Sequence, residues 1–96
     1  MKLSVAKEAL NWFENEYKQD TGILYVRLFP QYGGFGSKQK GYAVGFSIDV
    51  PDDPGEEWSV GPLRFFYEKN DEWYFGDSQL AINVNKSFDE IFFSFD

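Results

Sequence analysis

The sequence predicts an α+β domain that is mainly β, with one N-terminal helix packed on a meander of short strands that closes into two small sheets, as in a pseudo-barrel or sandwich. Three observations carry this expectation. Apolar residues at three- and four-residue spacing are confined to positions 3–18. From position 24 onward apolar residues instead recur at period two. Turn residues separate these runs so closely that no room remains for the crossover helices of βαβ units. The 96 residues are read as a single domain, 1–96. A domain of this size buries roughly two-thirds of the surface its unfolded chain exposes. Eleven Phe, six Tyr and three Trp are available to fill its core, and aromatic rings bury the most area per residue.

The helix is expected over 3–18, with Ser4 as N-cap. Ala6, Ala9, Leu10, Phe13 and Tyr17 form its apolar stripe, and Glu14 and Lys18 an i,i+4 pair. Gln19-Asp20-Thr21-Gly22 ends it, with Gly22 in the left-handed region. In the first strand Leu24, Val26 and Leu28 share one face, and Tyr25, Arg27 and Phe29 the other. In the second, Tyr42, Val44, Phe46, Ile48 and Val50 alternate with Ala43, Gly45, Ser47 and Asp49. Leu63, Phe65 and Tyr67 mark a third strand, Leu80, Ile82 and Val84 a fourth, and Ile91, Phe93 and Phe95 a fifth. Turns fall at Gly33-Gly34, 51–55, Gly61-Pro62, Gly76-Asp77 and Asn85-Lys86. The expected core is Ala6, Leu10, Phe13, Val44, Phe46, Ile48, Phe65, Ile82 and Phe93.

The chain contains no His and no Cys. Their absence excludes triads built on imidazole or thiolate, nitrogen–sulfur zinc sites and thiolate-held clusters. It also excludes disulfides, which fits a reducing compartment. No nucleophile–base set can be assembled, so no catalytic residue, no cofactor and no enzymatic activity are expected. The net charge of −7 opposes the phosphate neutralisation that drives nucleic-acid binding, and equally opposes an anionic membrane surface. Apolar runs of only a few residues predict no membrane span. Charges at Lys2, Lys7 and Glu8 interrupt any signal-peptide apolar region, and the protein is read as cytoplasmic. Asp49, Asp52, Asp53, Glu56 and Glu57 crowd one loop, but without the spacing or central glycine of a calcium loop. Pro51 and Pro54 stiffen it, and a solvated acidic turn without metal is expected. Asp71-Glu72 and Asp89-Glu90 are sequence neighbours, which in a strand point to opposite faces and make no acid–base dyad.

The segment 32–41 is the most unusual. Tyr32, Gly33, Gly34, Phe35, Gly36, Lys38 and Lys40 are the candidate partner or ligand contact. Glycines let the backbone turn and approach another molecule closely. A strand rather than a helix follows, which rules against a phosphate-binding loop. The simplest reading is a strand-to-strand loop. The functional one is a contact for a protein partner or a second copy, in which Phe35 supplies an apolar ring and Lys38 and Lys40 favour an acidic surface. A site for a small ligand or metal, made from this loop and the carboxylates, is the alternative.

The order of several motifs resembles the HesB-like domain family of the A-type iron–sulfur carriers (IscA), and within it the small HesB/YadR/YfhF-like proteins. Leu3-Ser4-Val5-Ala6-Lys7-Glu8-Ala9-Leu10 looks like the family's start, Tyr25-Val26-Arg27-Leu28 like its first strand, and Tyr32-Gly33-Gly34 like its paired glycines. The stretch 41–49 looks like the next strand, and Trp73-Tyr74-Phe75-Gly76 with Leu80-Ala81-Ile82 like the later turn and strand. The carriers place a cysteine after the paired glycines, where Phe35 stands, and two more in a C-terminal tail, while this chain ends at Asp96. The resemblance therefore implies a HesB-like fold related to iron–sulfur cluster biosynthesis, but an accessory or protein-interaction domain that binds no cluster.

Overall fold

The computed structural model describes residues 1–17, 22–34 and 41–95. The chain opens with a strand, not with the helix expected from position 3. Strand β1 (Lys2–Val5) precedes helix α1 (Lys7–Glu16). Leu3 and Val5 are half-buried while Lys2 and Ser4 are exposed, which is the period-two pattern of a strand. A parallel ladder from Lys2↔Gln79 to Val5↔Ile82 fixes this stretch and overrides its helical spacing. Ser4 therefore caps nothing. The N-cap is Ala6, which makes no side-chain cap bond. Within α1, Ala9 and Phe13 are fully buried. Lys18 and positions 19–21, expected to pair with and end the helix, lie outside the described residues. Gly22 has φ +80, in the left-handed region where a Cβ would be strained.

Strands β2 (Leu24–Gly34) and β3 (Gly41–Ile48) form an antiparallel hairpin from Val26↔Ile48 to Gly34↔Gly41, with a bulge between Tyr32 and Gly34. Strands β4 (Pro54–Val60) and β5 (Leu63–Glu68) form a second hairpin. The hairpins join through a parallel pairing of β2 with β5, giving a sheet of order β3-β2-β5-β4. A 3₁₀ turn (Lys69–Asp71) and short helix α2 (Glu72–Phe75) then lead to β6 (Gln79–Asn85) and β7 (Glu90–Phe95), in a second sheet of order β1-β6-β7. The expectation of a mainly β, α+β domain with two small sheets holds. The purely antiparallel meander does not, because each sheet contains one parallel pair, β1–β6 and β2–β5. Turn residues announce hairpins, but they carry no information about which hairpins dock side by side. Strand β4 was also hidden, since Pro54-Gly55-Glu56-Glu57 has the composition of a turn. Trp58 and Val60 nevertheless pack half-buried against the core.

Inward faces follow the period-two expectation closely. Leu24, Val26 and Leu28 on β2, and Leu63, Phe65 and Tyr67 on β5, are buried. Tyr42, Val44, Phe46 and Ile48 pack against them half-buried, whereas Val50 lies beyond β3 and is exposed. Of the expected core, Phe13, Phe65 and Ile82 are fully buried, and Ala6, Leu10, Val44, Phe46, Ile48 and Phe93 line its margin. The Phe13 ring reaches from α1 into the four-stranded sheet, edge-on at 5.2 Å to Phe46 and 5.5 Å to Phe65. On the opposite face of that sheet the Phe29 ring crosses Gly45 so closely that a Cβ there would stand 2.7 Å from it. Residue 45 is glycine because the ring occupies the space of a side chain.

Candidate protein-contact surface

The most exposed ring among the described large hydrophobics is Tyr32, 83% exposed, at the end of the β2–β3 hairpin. Tyr42 stands directly opposite it in the ladder, edge-on at 5.6 Å. Trp73 meets Tyr42 edge-on at 5.5 Å and is 54% exposed. Helix α2 explains why a tryptophan is there. One turn of helix sends Tyr74 and Phe75 inward, where Phe75 stacks on Tyr67 at 5.0 Å and Tyr74 meets Phe95 edge-on at 5.7 Å. The same turn sends Trp73 outward. Tyr32, Tyr42 and Trp73 thus make a continuous run of edge-to-face rings rooted in the core. Each such pair contributes about 0.5–1.5 kcal/mol beyond simple burial, so the rings are held in place before anything binds. Tyr and Trp in this setting are the residues that most often anchor protein–protein contacts.

The candidate contact residues fall in two groups. Tyr32, Gly33 and Gly34 end β2 beside this aromatic run. Phe35, Gly36, Lys38 and Lys40 lie outside the described residues. Sequence reasoning missed Tyr42 and Trp73 as surface residues. The available signal was Trp73-Tyr74-Phe75, three consecutive rings that one helical turn cannot all bury.

A second feature is an open cleft of about 390 Å³ lined by Arg27, Asp49, Val50, Asp52, Glu68 and Asn70. Two of its carboxylates, Glu68 and Asp49, accept hydrogen bonds from neighbouring groups. Glu68 accepts from the backbone amides of Asp52 at 2.9 Å and Asp53 at 2.7 Å. Those bonds, with the Arg27 charge, hold its carboxyl below the usual range. Asp49 accepts from Ser47 Oγ at 2.6 Å. Arg27 Nη2 pairs with Asp71 Oδ2 at 3.3 Å, and its guanidinium lies 5.6 Å from the Phe29 ring centroid. Among the described residues no group of three or more acidic side chains is placed to hold a metal ion. A third polar group sits at the edge of the core. Glu56 Oε1 accepts from the Met1 α-ammonium at 2.8 Å and from Tyr67 Oη at 2.6 Å. Burial pushes the Glu56 carboxyl up, but these two donors and the ammonium charge outweigh it and leave the group lowered. Burial, the bond to Glu56 and its charge raise the Tyr67 hydroxyl.

Fold and surface together define a small two-sheet α+β domain that presents aromatic rings at one end. No protein-family model matches the chain, and no solved structure matches it. Among curated proteins it is 33% identical over 95 residues to the pyruvate dehydrogenase inhibitor of Bacillus subtilis, covering 99% of each chain. An uncharacterised protein of Staphylococcus saprophyticus is 32% identical, covering 95% of each chain. One from Staphylococcus epidermidis is 25% identical, covering 97% of each. The chain belongs to the family of the Bacillus subtilis pyruvate dehydrogenase inhibitor.

This finding overturns the HesB-like resemblance. The end-to-end likeness is to a protein named as an enzyme inhibitor, not to an iron–sulfur carrier, and the HesB-specific fold has no support. The motifs behind the resemblance are short, and two of them fall on elements other than those assumed. The opening 3–10 is split between β1 and α1, and Trp73-Tyr74-Phe75 is helical rather than a turn. The accessory role in iron–sulfur cluster biosynthesis falls with it. The small-ligand or metal alternative also finds no support, since Glu68 and Asp49 of the cleft are hydrogen-bonded to neighbouring groups and, among the described residues, no acidic cluster is placed to hold a metal ion. No helix among the described residues is long and apolar enough to cross a membrane.

Proposed function

We propose that this chain inhibits a pyruvate dehydrogenase by binding it, without catalysing a reaction of its own. The observation that carries this reading is the likeness to the Bacillus subtilis inhibitor over 99% of both chains. Chemistry agrees with it. A chain without His or Cys has little with which to modify an enzyme covalently, but inhibition by occupancy needs only a surface. The Tyr32–Tyr42–Trp73 run is the surface that best fits the task, with segment 33–41 joined to it. The rings supply apolar area at low entropy, and glycines on either side of the loop allow adjustment to the partner. The target surface is of protein rather than nucleic acid, consistent with the net charge of −7. Action in the cytoplasm belongs to the same reading.

The test is a titration of purified chain into a pyruvate dehydrogenase from the same organism, with enzyme activity and direct binding followed in parallel. Saturable inhibition that levels off at a fixed ratio of chain to enzyme is the expected result. Trp73→Ala and Tyr32→Ala, both at exposed positions, should each weaken binding by roughly 1–3 kcal/mol, about 5- to 150-fold. Full enzyme activity at a large excess of folded chain would end the proposal. Inhibition unchanged in both variants would move the contact elsewhere on the molecule.

A further inference from the structure

Helix α2 is too short to hold its own direction. It has 4 residues, and isolated helices shorter than about 12 residues are marginal in water. Its N-cap, Asp71, makes no side-chain cap bond. What aims Trp73 is therefore whatever grips the helix from outside. On the inner side Tyr74 and Phe75 are buried. Two adjacent anchors still leave one turn free to roll about them, and a roll swings Trp73 across the surface. A third grip lies at the entry of the helix, where Arg27 Nη2 on β2 meets Asp71 Oδ2 at 3.3 Å. The two residues are 44 positions apart, so the bond ties the helix to the four-stranded sheet rather than to its own flank. Fully exposed ion pairs contribute little, because water and salt screen them. This pair is partly shielded, with the Asp71 side chain 17% exposed and that of Arg27 38%. The guanidinium is itself steadied over the Phe29 ring.

We infer that Arg27 is a positioning residue for the contact surface: by holding Asp71 it fixes the entry of α2 and so aims the Trp73 ring. Its part in a contact rests on the pyruvate dehydrogenase reading, whereas its effect on Trp73 in the free chain does not. Removing the guanidinium leaves a largely covered carboxylate without its cation. Glu68 and Glu72, close to Asp71 along the chain, add like charge. The carboxylate is relieved by turning out to water, and it takes the start of α2 with it. Residue 71 is only two positions from Trp73, so the movement passes directly to the indole and breaks its edge-on contact with Tyr42. Lysine at position 27 keeps the charge but not the planar fork that reaches a carboxylate while resting on a ring. It should hold Asp71 less firmly than arginine and better than an uncharged side chain.

The chain has three tryptophans, and incorporation of 5-fluorotryptophan gives each a fluorine signal, with that of Trp73 identified by its loss in Trp73→Phe. Trp12 on α1 and Trp58 on β4 serve as internal references. In the free chain Arg27→Met and Asp71→Asn should each shift or broaden the Trp73 signal while the other two stay in place, and Arg27→Lys should fall between Arg27→Met and wild type. Binding to a pyruvate dehydrogenase from the same organism should weaken by about three- to tenfold in Arg27→Met. The same change made in Trp73→Ala should cost nothing further, because a residue that acts through Trp73 has nothing left to position. A Trp73 signal unmoved in Arg27→Met overturns the inference. So does an equal loss of binding with and without Trp73, which would make Arg27 a direct contact. If the wild-type chain binds no pyruvate dehydrogenase, it is the proposed function that fails, and the fluorine spectra, recorded without enzyme, still decide whether Arg27 positions Trp73. If Arg27→Met fails to fold, Asp71→Asn decides in its place.

Discussion

Replacing Phe46 with alanine should loosen the joint between helix and sheets more than any other change at a half-buried position. The ring contacts four others: Trp12 at 6.1 Å, Phe13 at 5.2 Å, Tyr17 at 6.3 Å and Phe93 at 6.3 Å. Three of these lie on or beside α1, and the fourth is on β7 of the other sheet. Phe46 is therefore where helix, first sheet and second sheet meet. A fully buried phenylalanine truncated to alanine costs about 3–5 kcal/mol. Phe46 is only half-buried, which lowers the transfer contribution, but losing several edge-to-face contacts adds to it. The expected loss is about 2–4 kcal/mol. For a domain of this size it should appear as a fall in Tm of roughly 10–25 °C. Urea unfolding of wild type and variant, read by tryptophan fluorescence and circular dichroism, measures the change directly. A loss under about 1 kcal/mol with an unchanged m-value would show that Phe46 does not bridge the layers, and the account of how the sheets are joined would have to be redrawn.

Gly45→Ala should destabilise the chain by about 1–2 kcal/mol by displacing the Phe29 ring, and Phe29→Ala in the same molecule should recover most of that loss in thermal melts. Asp89 has φ +50, a left-handed conformation that glycine adopts freely. Since the bond from Trp12 Nε1 goes to the Asp89 backbone oxygen, Asp89→Gly should keep it and gain about 0.5 kcal/mol; a loss of stability would argue against this backbone geometry. Glu56 and Glu68 both have lowered carboxyls, so the stability they add is complete above the ordinary glutamate range and is lost as pH falls through the lower native values. Denaturant midpoints measured across the acid range should therefore fall less steeply in Glu68→Gln than in wild type, and identical acid limbs would show that the bonds from Asp52 and Asp53 contribute nothing.

How much could be read in advance depended on the kind of information each residue carries. Leu24, Val26 and Leu28, or Tyr42, Val44 and Phe46, declare a face by alternation alone, and the structure agrees. Local pattern failed where a distant partner decides the conformation. Val5 belongs to a strand because Ile82 lies beside it, and nothing near Val5 in the chain says so. Phe66 shows the same limit. Alternation sends it to the outer face with Arg27, yet it is fully buried, with Tyr25 edge-on at 6.4 Å. The aromatic run was legible only in part, since Tyr32 was singled out for its glycine neighbours, while Trp73 joins it through a helix that turn-like composition concealed. The family resemblance misled for a related reason. Short motifs in the right order constrain local shape far more than they constrain descent.

The parallel pairing of β1 with β6 also bears on how the chain reaches its native state. An antiparallel hairpin can close as soon as both arms exist, but β1 must wait for β6, which lies beyond every strand of the other sheet. During synthesis β1 therefore stays unpaired until β6 has left the ribosome, although the β6–β7 hairpin of the same sheet can close without it. Domains dominated by such long-range pairings fold in milliseconds to seconds rather than microseconds. The β4–β5 hairpin can form early, and the three-stranded sheet should assemble last, around the side chain of Phe46.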